Sequence, residues 1–123
     1  MTASIAVLER VLDAFNAHDL DAIMACFAED CVLEMPRGPE RWGARAEGKP
    51  AVRALLATRF TGLPDVKYAG LSHFVDGDMG ISRWRITGTT PAGVRVDVHG
   101  CDFYRFREGE IISKDSYWKI REP

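Results

Sequence analysis

Several things are scarce in this chain, and each absence narrows what it can be. No apolar run is long enough to cross a bilayer, which takes about 20 residues. No basic run stands out and the net charge is −2 at pH 7, so the electrostatic footprint of nucleic-acid binding is missing. The N-terminus, "MTASIAVLER", mixes acid and base and has no signal-peptide apolar segment, which predicts a cytoplasmic protein. Cysteines number three, Cys26, Cys31 and Cys101. An odd count without CxxC spacing is no disulfide framework and no zinc knuckle, so they read as small buried hydrophobes in a reducing compartment. Dinucleotide, P-loop and nucleophile-elbow motifs are missing, so no cofactor is implied. His73 and His99 lie on strands, but no spacing motif ties them to a carboxylate as metal ligands. There is no internal repeat and no low-complexity tract.

What is present fits one domain spanning residues 1–123. Hydrophobic residues make up 46% and charged residues 28%, the balance of an ordinary globular domain with one core. Ile5, Leu8, Leu12 and Phe15 recur at helical spacing, with Val7 and Val11 widening the stripe. Ser4 is placed to cap this helix and Asp19 to cap a second, "LDAIMACFA", with Ala22, Ile23 and Phe27 inward. Cys31 to Met35 reads as a short strand, and the proline- and glycine-rich run to Pro50 as loop. "GKPAVRALLATRF" restarts a helix with Val52, Leu55, Leu56 and Phe60 on its buried face. From Val66 onward the pattern turns to strands joined near "DGD", "PAG" and "REGE". Helices first and an antiparallel meander after predict an α+β fold, with helices packed on one face of a strongly curved sheet.

Strand alternation assigns faces. On "VRVDVHGCDFYRF", Val96, Val98, Gly100, Asp102, Tyr104 and Phe106 share a mainly apolar face, and Asp102 is its only charge. Three readings follow for Asp102. It lines a pocket, where burial raises its pKa and lets it donate to a ligand oxygen. It pairs with Arg83 or Lys114 as a structural ion pair. Or it is solvated. On the last strand, Ile112, Lys114, Ser116 and Trp118 share one face, and the pattern does not choose which face is inside.

Four stretches, "HDLDAIMACFAED", "VLEMPRGP", "HGCDFYRFREGEI" and "SYWK", resemble the nuclear-transport-factor-two-like superfamily, in its SnoaL-like and ketosteroid-isomerase-like branch. The resemblance implies a cone: a curved mixed sheet wrapped around N-terminal helices, with an internal pocket. It also implies a homodimer through the sheet's outer face. In ketosteroid isomerase the proton-shuttling Asp stands where this chain has Met35, and an oxyanion-binding Tyr stands where it has Val11. Asp102 matches the isomerase's other oxyanion partner, and Trp118 fits a pocket-lining Trp. Against limonene epoxide hydrolase, Arg83 is kept, Arg85 replaces a carboxylate, and Ser116 replaces the water-activating Asp. The polyketide cyclases carry their acid at about the same place, with Asp115 one residue away here.

The expectation is therefore a domain that binds a small, largely apolar, carbonyl-bearing molecule. Any chemistry would be proton transfer of the isomerase or cyclase kind. Asp102 would donate to the oxygen, and Glu34, beside the vacant isomerase position, is the candidate base or else a solvated strand residue. Arg83, Lys114, Ser116, Trp118, His73 and Met35 would line the site. Trp42, in a polar loop, either covers the cavity mouth or anchors the loop. Trp84 packs under the helices or at a dimer surface. The rivals are a non-catalytic sensor domain and a dimerisation module. On the pocket reading, Asp102→Asn harms ligand binding more than stability.

Overall fold

The computed structural model describes residues 3–123. Helix α1 (Ile5–Asn16) starts where Ser4 accepts the Val7 N–H at 3.2 Å, and α2 (Leu20–Met24) starts where Asp19 accepts the Ala22 N–H at 3.0 Å. His18 turns the chain between them at φ 55°. α2 is shorter than its sequence pattern predicts. Phe27 and Ala28 belong instead to β1 (Phe27–Glu34), because Phe27 pairs with Ile111 and the Ile111 N–H donates to the Cys26 carbonyl. Tertiary pairing overrides helix propensity here.

The loop after β1 folds back as β2 (Arg45–Glu47), which pairs antiparallel with β1. Helix α3 (Lys49–Gly62) follows, with Pro50 in its first turn and Val52 and Leu56 buried. Strands β3 (Lys67–Asp76), β4 (Met79–Thr89), β5 (Arg95–Arg107) and β6 (Glu110–Trp118) form the expected meander. The six strands run in the order β2-β1-β6-β5-β4-β3, antiparallel except for β1 beside β6. This is the curved mixed sheet of the cone fold.

Helices cover one face. Leu8, Val11, Leu12 and Phe15 of α1 join one buried cluster with Trp84, Ile86, Tyr104, Phe106 and Ile111 of the sheet. Covering each of these large side chains is worth roughly 1.5–3 kcal/mol. A bulge opposite Arg105 and Phe106 resolves the ambiguity of β6. It lets Ile111 and Lys114, of opposite parity, both point inward, followed by Ser116.

Candidate functional site

The inner face of β5 and β6 carries a polar cluster inside the apolar core. Asp102 is 2% exposed, Lys114 6% and Ser116 5%. Asp102 and Ser116 are direct partners across the two strands, and Tyr104 faces Lys114 one step along. Oδ1 of Asp102 accepts from Lys114 Nζ at 3.1 Å and from the Ser116 hydroxyl. Oδ2 accepts from the Trp84 indole N–H at 2.9 Å and from the Tyr104 hydroxyl at 3.4 Å. Lys114 Nζ also donates to Ser116 Oγ at 2.8 Å. No buried polar side-chain atom among the described residues lacks a partner.

Each contact presents a donor to Asp102. Its oxygens are occupied, so the expected role of Asp102 as a donor to a ligand oxygen is replaced by the buried pair with Lys114. Burial pushes the Lys114 ammonium below the usual lysine value, and the Asp102 carboxylate pulls it only part of the way back. The Tyr104 phenol is pushed well above its ordinary value by burial and by the Asp102 charge, and burial raises Tyr68 likewise. Both tyrosines stay neutral. An ammonium has three N–H donors, and Lys114 uses two of them here. The Phe15 ring lies 5.4 Å from Nζ.

Glycine at position 100 makes room for this arrangement. Gly100 pairs with Trp84 across β4 and β5. A methyl group there would sit 2.6 Å from the Trp84 ring and 2.5 Å from the Tyr117 carbonyl oxygen. The indole therefore packs closely against the glycine and reaches Asp102.

The open space lies at the rim of the same face. A cleft of about 830 Å³ is bordered by Val96, Val98 and Trp118, by Pro36 and Arg37 after β1, and by the C-terminal residues from Lys119. Asp102, Lys114 and Ser116 are not among its walls. They stand further in along the same strand faces. Arg59, in the last turn of α3, lies over the Trp118 ring at 4.6 Å.

The other sequence-derived candidates divide between the two faces. His73 is half-buried, with Nδ1 2.8 Å from the hydroxyl of buried Ser82, which is itself the cross-strand partner of Asp102. Met35 is half-buried against the core. Glu34 is a correction. It pairs in register with Asp115 on the outer face and accepts from Arg45 Nε at 2.8 Å. Leu33, one residue away, is the one that points inward beside Lys114. Glu34 therefore cannot act as a base beside Asp102. Arg83 is a second correction: it is exposed on the outer face, opposite in parity to buried Trp84. Trp42 is 36% exposed and lies under Arg45 at 4.7 Å and Arg41 at 5.6 Å. That is the loop-anchoring reading rather than a cover over the cleft.

The outer face has its own groove of about 340 Å³, where Glu34 and Asp115 meet Phe103 and Tyr117. Partial burial raises the Asp115 carboxyl, the Glu34 charge adds to this, and a hydrogen bond from the Tyr117 hydroxyl opposes it. Trp84, Tyr104, Ser82 and Arg59 are site residues that the sequence reading did not assign. Tyr104 and Trp84 had a signal, since Tyr104 shares Asp102's strand face and both can donate. Arg59 had none, because its partner is 59 positions away in sequence. Among the described residues, no group of three or more His, Cys, Asp or Glu is placed to hold a metal ion.

The whole arrangement, helices against one face of an open six-stranded sheet, has known relatives. The SnoaL-like domain family matches residues 8–114. This chain belongs to the SnoaL-like domain family. Solved structures agree on the SnoaL-like fold. A protein of unknown function from Mesorhizobium loti, described as nuclear-transport-factor-two-like, is 29% identical with a TM-score of 0.77, covering 98% of this chain and 100% of its own. A Pseudomonas putida KT2440 protein provisionally described as a polyketide cyclase is 20% identical with a TM-score of 0.83, covering 98% and 93%. A Bacillus subtilis protein provisionally described as an isomerase is 19% identical with a TM-score of 0.78, covering 93% and 84%. At such identities the last two carry the fold only. No curated protein matches the sequence. No helix of the described SnoaL-like domain is long and apolar enough to cross a membrane.

Proposed function

We propose that this SnoaL-like domain binds a small, largely apolar, carbonyl-bearing molecule in the rim cleft. The observation that carries the reading is the placement of that cleft. Its walls Val96, Val98 and Trp118 are the outward continuation of the strand faces that hold Asp102, Lys114 and Ser116. An apolar body would displace water from the valines and the indole. The N–H of Lys114 not used on Asp102 or Ser116 is the donor a ligand oxygen reaching inward would take. Isomerase- or cyclase-like proton transfer would run through Lys114 and Ser116, because the candidate base Glu34 lies on the other side of the sheet. Binding is accordingly the leading role, and turnover requires that one lysine to exchange a proton with the ligand.

The test uses 2-tetralone, an apolar enolisable ketone, with the wild-type chain and Trp118→Ala. A raised melting temperature for the wild type, lost in the variant, supports the site. Deuterium uptake at the ketone's α-carbon in heavy water, faster than in buffer, would add the chemistry. No melting shift with 2-tetralone or a panel of similar ketones would end the reading.

The outer face is where two copies would meet. Tyr117 is 55% exposed there and makes an edge-on pair with Phe103 at 5.6 Å. A monomer leaves this aromatic pair and the adjoining groove in water.

A further inference from the structure

The charge distribution around the cleft narrows the ligand class. The chain as a whole carries a net charge of −2. The cleft is the reverse: Arg37, Arg95, Lys119 and Arg121 border it, against only Asp97 and Glu122. Asp97 is already neutralised, gripped by Arg85 through two bonds of 2.7 Å. Arg59 is not itself one of the walls, but it lies against one of them, with its guanidinium carbon 4.6 Å from the centroid of the Trp118 ring.

Arg59 is a cation without an anion. Among the described residues, the ion pairs engage Arg45, Arg53, Arg85, Arg95, Arg105, Arg107 and Lys114, but not Arg59. The buried carboxylate nearest to this end of the core, Asp102, is taken by Lys114. The Arg59 charge is nonetheless felt inside, where it lowers both the Tyr68 phenol and the Lys114 ammonium. The carbonyl end of α3 favours a cation at this position, and a guanidinium has five N–H donors, more than the Tyr68 hydroxyl beside it can take. A guanidinium placed over an indole, with no carboxylate of its own among the described residues, suits a planar carboxylate.

We propose that the cleft takes an organic carboxylate with a flat apolar body, and that Arg59 binds its charged end. This rests on the ligand-binding reading of the same cleft and names the class of ligand. The rim arginines add long-range attraction, and Arg59 supplies the directed contact.

The experiment compares 2-naphthoate with 2-naphthamide, two probes with the same ring system that differ in charge. Titration calorimetry at low salt measures both on the wild type, Arg59→Gln and Arg59→Lys, with melting curves to confirm that each variant is folded. The wild type is expected to bind the naphthoate at least about tenfold more tightly, in line with a charged hydrogen bond. That advantage should shrink as salt is raised. Arg59→Gln should remove most of it and leave the naphthamide unchanged, and Arg59→Lys should keep part. Equal binding of the two probes by the wild type overturns the carboxylate proposal and leaves the cleft reading intact. So does an undiminished preference in folded Arg59→Gln. Binding of neither probe overturns both. If Arg59→Gln does not fold, the wild-type preference, its salt dependence and Arg59→Lys decide.

Discussion

Asp102 sits among four side chains that leave it nothing to offer a ligand. Its carboxylate meets one ammonium, two hydroxyls and an indole N–H, in a core where water is excluded. Removing one partner of a buried ion pair strands the other, at a cost of about 3–5 kcal/mol. Asp102→Asn should therefore lose about that much in urea unfolding, while Asp102→Asn combined with Lys114→Met loses less than the two singles summed. A single-variant loss below about 1 kcal/mol would mean that the cluster does not hold the core together. This reverses the expectation from sequence, which assigned the main effect of that substitution to ligand binding. Alternation correctly put Asp102 on the buried face. It could not choose among Lys114, Arg83 and a ligand, because that choice depends on how β6 is registered against β5.

At the scale of elements, two details of strand pairing build the site. The bulge between Arg105 and Phe106 shifts β6 by one residue, so that Lys114 and Ser116 come inside together with Ile111. Without the shift, Ile111 and Lys114 would face opposite ways. The second detail is the close packing of β4 on β5 at Gly100. Gly100→Ala should push the Trp84 ring away and weaken its bond to Asp102. The expected loss is about 1–3 kcal/mol, the usual cost of overfilling a packed core. It would be read by urea unfolding, with a change in near-ultraviolet circular dichroism from the displaced indole. An unaltered spectrum and unaltered stability would show that the indole can move without consequence. The same logic of pairing explains where helix periodicity failed. "CFA" fits a helix by pattern, yet Phe27 is drawn into β1 by its parallel partner Ile111.

The whole molecule presents two faces with different chemistry. The helix-covered face ends in the cationic cleft, and the bare face carries Phe103, Tyr117, Glu34 and Asp115 around a groove. A dimer through the groove of the bare face would leave the cleft open, because the two share no lining residue. Sedimentation equilibrium should return about twice the 13.7 kDa chain mass, and Tyr117→Glu should return the chain mass itself by placing a third carboxylate beside Glu34 and Asp115. A wild-type mass of one chain at micromolar concentration would remove the dimer.

The periodicity of the chain was enough to specify the helix-then-strand order, the caps at Ser4 and Asp19, and the inward face of β5. These are local matters, settled by spacing of 3.6 or 2 residues and by side chains bonding to backbone three positions away. Tertiary structure alone decided that Glu34 and Arg83 face outward, that Lys114 rather than a ligand meets Asp102, and that Arg59 meets Trp118. Those outcomes depend on register, on one bulge and on contacts between residues far apart in the chain, for which local pattern carries no signal.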